Sequence, residues 1–289
     1  MLGKEQLILV RIWEGLGNQL FQYAYARALQ EQGFNVKLDL KKAYDEVFPK
    51  NSKYTRRQNG IQNFNISIGN IDVEKYGKYQ YIRRNNMKNK IIYHLANHGL
   101  WKYKYCEQDG YFYDKKYVHI RGNCYVKGWF QSESYFVHIR NELLRELTPK
   151  KKIRIPKELR QALENNESVA VHVRRGDYVK LRQNASVSYY IRAIKHIEKY
   201  YANPQFLFFS DDIEWVKKNI KIDSKCFYVS EEMRLQDYEE LFIMSKCKSN
   251  IISNSTFSWW GAWLNQNPEK IIIAPKNCWL SMKANVIYM

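Results

Sequence analysis

The chain lacks any apolar run of the ~18 residues a membrane-spanning helix needs, and Lys4, Glu5 and Gln6 stand where a signal peptide requires an apolar centre. A soluble cytoplasmic protein is the expectation. Cysteine is sparse and unpatterned: Cys106, Cys124, Cys226, Cys247 and Cys278 are odd in number, with no C-x-x-C pair. Reduced thiols are expected, with neither disulfide framework nor zinc site. Familiar catalytic signatures are missing as well. His94 and His98 stand four apart, but no glutamate follows His94; there is no G-x-S-x-G elbow and no phosphate loop ending in Gly-Lys-Ser/Thr. The nearest approach to a metal-binding D-x-D is Asp72-Val73-Glu74, so no metal and no resident cofactor are expected.

Acid is the scarce charge. Forty-seven Lys and Arg face 29 Asp and Glu, a net +18. Such an excess fits nucleic acid, an anionic membrane surface or acidic small substrates. Without zinc-finger spacing, an RNP-like strand or a basic helix, no nucleic-acid partner is expected. Arg56, Arg57, Arg83, Arg84, Lys88 and Lys90 form a basic group that predicts reversible contact with the inner membrane face.

What is present is an alternation of strand and helix. The 289 residues, 45% of them hydrophobic, suit two domains, 1–150 and 151–289, joined where two prolines flank a lysine cluster at 148–156. The first half opens with a strand at 7–12, a glycine-bearing turn at 14–18, a helix over 19–32 and a strand at 34–40; regular structure returns at 125–131, and a helix over 135–147 closes it. Residues 41–125 have no assignable period. In the second half the pattern predicts strands at 168–173, 206–210, 225–229, 250–253 and 270–274. Helices are expected at 189–201, 213–219, 236–246 and 257–265. That is a doubly wound parallel sheet, whose ligands sit outside the carboxyl ends of the strands.

The chemistry-bearing residues fall at such ends. Val169 to Val173 feeds Arg174, Arg175, Gly176 and Asp177; paired guanidinium forks at a strand end suit a diphosphate. Gly15, Gly17 and Asn18 make a close-approach loop at a helix start, but Leu20 replaces the third glycine of a dinucleotide fingerprint, which disfavours a nicotinamide cofactor despite the placement of Asp39. Of Asp211 and Asp212, one is expected to cap the following helix, leaving the other for a base or ribose. Asn254, Ser255, Thr256 and Ser258 open a helix and suit phosphate, whereas Trp259, Trp260 and Trp263 are expected in the core.

Five blocks in order, GLGNQLFQYAYARAL (15–29), YVKGWFQSESYF (125–136), VAVHVRRGDYV (169–179), FFSDDIEWVKKN (208–219) and NSTFSWWGAWLN (254–265), resemble the α-1,2-fucosyltransferases of glycosyltransferase family 11. The resemblance implies an α/β GT-B fold of two Rossmann-like domains facing a central cleft. It implies metal-independent, inverting transfer of L-fucose from GDP-β-L-fucose to the 2-hydroxyl of a galactoside. The acceptor would be a galactose-terminated oligosaccharide or a glycan on a lipid carrier. The N-terminal domain would lie on the acceptor side and the C-terminal one would bind donor. Carried over, His172, Arg174, Arg175 and Asp177 hold the diphosphate, and Asn18 faces the reaction centre. Asp211 or Asp212 reads guanine or ribose, and Asn254, Ser255, Thr256 and Ser258 complete the phosphate cradle. Asp177 is the first choice for a general base, ahead of His172, with a donor phosphate oxygen as the alternative. Glu14 departs from the family, which more often has glycine there. A transferase using another nucleotide sugar and a noncatalytic basic binder are the alternatives.

Overall fold

A computed structural model describes residues 6–40, 58–71, 104–164, 167–232 and 235–289, with Ile91, His94, Leu95 and His98. The chain divides into two units, Met1–Leu147 and Thr148–Met289.

In the first unit β1 (Leu7–Arg11) runs through a tight loop into α1 (Leu16–Glu31), which returns to β2 (Asn35–Asp39). Later come β3 (Lys104–Glu107), β4 (Cys124–Lys127) and α2 (Arg140–Glu146). The sheet order is β2-β1-β4-β3, and every pairing is parallel. α1 is buried on nearly all sides, by Leu20, Phe21, Tyr23, Ala24, Tyr25 and Ala28, because aromatic loop residues cover the face turned away from the sheet: Tyr25 stacks on Phe130 at 3.8 Å.

The second unit contains α3 (Lys157–Glu164), β5 (Ser168–Val173), α4 (Gly176–Lys180), α5 (Val187–Ile197), β6 (Gln205–Ser210), α6 (Ile213–Asn219), β7 (Lys225–Tyr228), α7 (Asp237–Lys246), β8 (Ser249–Ile251), α8 (Thr256–Leu264), β9 (Ile272–Ala274) and β10 (Val286–Tyr288). Its all-parallel sheet has the order β10-β9-β8-β5-β6-β7. With the first strand central and the order reversing beside it, this is the dinucleotide-fold arrangement, and its switch point lies between β5 and β8. β5 is apolar at almost every position because both its faces are covered. Val169, Val171 and Val173 pack with Tyr190, Ile194 and Val216 on one side, while Ala170 packs with Leu159, Ile243 and Met244 on the other.

The α/β alternation is therefore present in both units. Three differences have local causes. The ordered stretch expected at 125–131 is strand only as far as Lys127, because Phe130 takes φ +50° and turns the chain. The helix expected over 135–147 breaks into 3₁₀ turns before α2. α1 begins at Leu16, three residues before its expected start, with Gly15 as its cap. β3, β10 and α3 had no strong period to announce them. The basic group Arg56, Arg57, Arg83, Arg84, Lys88 and Lys90, and Asp72-Val73-Glu74, lie outside the described residues. No helix among the described residues is long and apolar enough to cross a membrane.

Candidate functional site

The end of β5 delivers two arginines that are already organised. Arg174 Nη2 meets Asp177 Oδ1 at 2.6 Å and Arg174 Nη1 meets Asp211 Oδ2 at 2.9 Å, so the fork is gripped from two directions. The Arg175 guanidinium lies over the Trp215 ring at 3.6 Å, and its backbone N–H donates to Asp211 Oδ1 at 2.8 Å. Arg175 Nε stands 3.5 Å from Asp212 Oδ2, an electrostatic contact too poorly placed to be a hydrogen bond; the nitrogen is buried and has no hydrogen-bond partner. That is the condition of a donor awaiting an anion. Gly176 makes the clamp sterically feasible, since a Cβ there would fall 2.5 Å from Asp211 Oδ2.

The turn after β6 contributes the two aspartates, and both are engaged. Asp212 caps α6 by accepting from Trp215 N at 3.2 Å, as expected of one of the pair, while Asp211 holds Arg174 and Arg175. The end of β8 supplies the rest. His172 Nδ1 and Ser253 Oγ lie 2.9 Å apart and bridge β5 to β8 across the switch point. Burial, then the Arg174 charge, depress the imidazole from 6.5 to about 3. The ring is thus neutral at physiological pH and joins the strands.

Ser255 caps α8 by accepting from Phe257 N, and Ser258 Oγ bonds the Ser253 and Ser255 carbonyls. Both side chains are spent inside the turn. Thr256, at the first position of α8, is partly exposed, and no partner for its hydroxyl is found among the described residues. Asn254 is buried, donates to the Gln183 carbonyl at 3.3 Å and leaves its Oδ1 without a partner. The three tryptophans are in the core, with Trp259 and Trp260 at 0% exposure.

One residue escaped the sequence reading. Glu240, in the first turn of α7, lies near Ser230, whose Oγ accepts from Ser210 N at the end of β6. Desolvation raises its carboxyl from 4.5 to about 7, opposed by Ser230 and aided more weakly by the charges of Asp237 and Asp211. In sequence it is one acid of a helix-start cluster, and only the fold brings it toward Asp211.

In the first unit the loop after β1 is held by Gln19. Its Nε2 donates to the Glu14 and Gln58 carbonyls at 2.7 and 2.8 Å, and its Oε1 accepts from Gly60 N and Ile61 N at 2.9 and 3.3 Å. Gly15 is extended and Gly17 is helical, so neither uses the left-handed conformation open to glycine; Glu14 does, at φ +70°. Asn18 Oδ1 accepts from Gln131 Nε2 at 2.8 Å. Asp39 is bound by the Tyr125 hydroxyl at 2.6 Å and buried, which removes it as a ribose ligand. Among the described residues no three His, Cys, Asp or Glu gather as a metal site, and the five cysteines are free thiols.

The family model of glycosyl transferase family 11 matches residues 7–285. The chain belongs to that family. Two α/β units with parallel sheets place this glycosyltransferase in the GT-B fold class. Among its relatives, an Escherichia coli alpha-1,2-colitosyltransferase is 32% identical over 282 residues, covering 93% of this chain and 91% of that protein. The Escherichia coli O-antigen biosynthesis glycosyltransferase WbnK is 30% identical, with 91% of each chain covered. Mouse galactoside 2-alpha-L-fucosyltransferase Sec1 is 28% identical over 52% of this chain and 45% of its own length. A solved structure of the fucosyltransferase NodZ from Bradyrhizobium aligns with a TM-score of 0.49 at 16% identity, covering 89% of this chain and 92% of that one.

Proposed function

We propose that this glycosyltransferase moves L-fucose from GDP-β-L-fucose to the 2-hydroxyl of a terminal galactoside, with inversion at the anomeric carbon and without a metal. The observation that carries the reading is the Arg174 fork at the β5–β8 switch point, gripped by Asp177 and Asp211 beside an Arg175 Nε that makes no hydrogen bond. The α-1,2 linkage rests on the names of the colitosyl- and fucosyltransferase relatives. The galactose O2 attacks C1 of the sugar, the bond from C1 to the β-phosphate oxygen breaks, and GDP leaves with the electron pair. Charge builds on the leaving phosphate, where pre-oriented guanidinium groups and the start of α8 lower the barrier most. Arg174, Arg175 and Thr256 act there directly. Asp177, Asp211 and His172 position them, and Asn254 shapes the loop.

Asp177, the first choice as base, is committed to Arg174. The acceptor proton is assigned instead to a donor phosphate oxygen, which needs no further residue in a loose transition state. Glu240 is assigned the guanine edge: a carboxylate accepts two hydrogen bonds, and guanine presents N1–H and the 2-amino group side by side. The N-terminal unit is left for the acceptor.

The test is a panel of GDP-fucose, UDP-galactose and ADP-heptose against β-galactosides, with product NMR and a chelator arm. Transfer only from GDP-fucose, an α-1,2 product and activity unchanged by EDTA are expected; a different donor, linkage or metal requirement would overturn the corresponding part. GDP-colitose is a second donor to include, because one 32% identical relative is a colitosyltransferase.

A further inference from the structure

The loops at the carboxyl ends of β1, β4 and β3, all within Met1–Leu147, display an aromatic array that no role above uses. The Trp13 and Trp129 rings lie 4.3 Å apart, and Tyr111 stands 5.4 Å beyond Trp129. Phe112 is 77% exposed, and its neighbours Tyr111 and Tyr113 are exposed too. Exposed adjacent aromatics on a loop cost solubility and are kept where something covers them.

These loops are held in place. Gln108 Oε1 accepts from Trp129 N and Phe130 N at 3.0 and 2.8 Å, while its Nε2 donates to the Phe112 carbonyl and the Tyr135 hydroxyl at 3.1 and 3.2 Å. One buried amide therefore ties the tip carrying Tyr111 to the turn carrying Trp129. Asp114 N donates to the same Tyr135 hydroxyl at 2.9 Å. Gly128 lets the turn close on Gln108, since a Cβ there would meet Gln108 Cβ at 2.7 Å. The backbone is also strained: Glu14 and Phe130, with φ +70° and +50°, flank this array. Side-chain-bearing residues persist in that conformation where the surroundings over-determine them, a condition concentrated at ligand sites.

A second observation marks a polar ligand. Gln131 gives its Nε2 to Asn18, and its Oε1 is buried with no hydrogen-bond partner. An orphaned amide oxygen two residues from Trp129 asks for an O–H or N–H donor. Lys127 and Arg11 stand over the Trp13 ring at 5.3 and 5.8 Å, but Lys127 is paired with Glu107 at 2.6 Å, so the edge is not a bare cationic surface.

Rings on these loops, with an acceptor lacking a hydrogen bond in the same turn as Trp129, match a pyranose, which turns one face of C–H groups and a rim of hydroxyls to its surroundings. We propose that Trp13, Trp129, Tyr111 and Phe112 form a stacking platform for the acceptor glycan, and that Gln131 Oε1 accepts from one of its hydroxyls. The proposal rests on the reading of this chain as a galactoside transferase and names the surface that holds the galactoside. Because the platform continues past Trp129 onto the Tyr111 loop, it would hold more than one sugar of the acceptor.

The test compares Trp129→Ala and Phe112→Ser with wild type in two assays: transfer to a β-galactosyl disaccharide and to methyl β-galactoside, and GDP-fucose hydrolysis without acceptor. Thermal melting checks folding; Phe112, with most of its surface in water, is the variant least able to perturb the core. Stacking of this kind predicts about a tenfold rise in acceptor KM for Trp129→Ala, a smaller rise for Phe112→Ser seen chiefly with the disaccharide, and hydrolysis within about twofold of wild type. Unchanged acceptor KM in both folded variants would overturn it. So would a change in sedimentation for Phe112→Ser with KM unaffected, which assigns the loop to contact between copies. If wild type neither hydrolyses nor transfers from GDP-fucose, the donor reading fails; saturation-transfer NMR with methyl β-galactoside then tests the platform alone, and loss of its ring C–H signals in Trp129→Ala supports it while their persistence overturns it.

Discussion

The carboxyl edges of the two sheets are built from opposite materials. At the end of β5 in Thr148–Met289, two arginines are held by three aspartates, and the carboxylates serve as splints for the cations. At the ends of β1, β4 and β3 in Met1–Leu147, the exposed groups are aromatic rings, on loops pinned by buried glutamine amides through strained turns. The same architecture thus presents one edge suited to a multiply charged leaving group and another suited to a neutral, hydroxyl-rich partner. Ordering a guanidinium fork in advance avoids reorganising it as charge develops. A neutral ligand offers no such charge, and shape and apolar contact must substitute.

The comparison breaks most sharply at Arg174. Arg174→Lys keeps the charge but cannot reach Asp177 and Asp211 at once while facing phosphate, so a loss of about 2 to 4 kcal/mol of transition-state stabilisation is expected, roughly 30- to 1,000-fold in turnover, in a folded protein. Near wild-type turnover would show that the fork is not used as a fork.

Acid probes the same edge through stability. His172 is depressed from 6.5 to about 3, so the unfolded chain takes up its proton first as pH falls. The contribution is fully present above about pH 6.5 and is lost progressively toward pH 3, on the order of 5 kcal/mol in all. Glu240, raised to about 7, acts with the opposite sign: its contribution is present below about pH 4.5 and is lost as pH rises through 7. Urea midpoints measured from pH 8 to 4 are expected to fall on the acid side, and His172→Asn is expected to flatten that fall. An unchanged slope in the variant would place the acid sensitivity elsewhere.

A finer probe separates base reading from phosphate holding. Glu240→Gln can accept only one hydrogen bond from guanine, so its preference for GDP over IDP, which lacks the 2-amino group, is expected to shrink about tenfold. Equal loss of GDP and IDP affinity would make Glu240 structural.

The second unit was far more legible than the first, for a physical reason. β5 and α6 were read to the residue, because strands buried on both faces are apolar throughout and a helix capped by Asp212 announces its own start. The arginine pair was visible for the same reason: charge at the end of an apolar run has nowhere to go but the crevice. Glu240 was invisible because an acid in a helix's first turn already has an explanation, and its approach to Asp211 depends on how α7 folds back over the sheet. The turn carrying Trp129 and Gln131 was hidden within a stretch legible only as ordered, since it is made by Phe130 at φ +50°, a conformation no phenylalanine advertises. The alternation was legible where periodicity carries the information. It failed where single side-chain amides do.

Gln19 and Gln108 carry that point further. Each spends both amide hydrogens and both lone pairs on neighbouring segments, behaving as a peptide group detached from the main chain. Loop amides that no strand pairs with are thereby sealed from water as strand amides are. In deuterated buffer, the N–H groups of Gly60, Trp129 and Phe130 would exchange at rates set by opening of the core. Replacing either glutamine by glutamate, a change of one nitrogen to oxygen, would turn two donors into acceptors facing oxygen and release those amides to solvent at a cost of about 1 to 3 kcal/mol. The precision of this protein's loops is thus stored in the orientation of two amide planes, and isotope uptake measures it without any substrate.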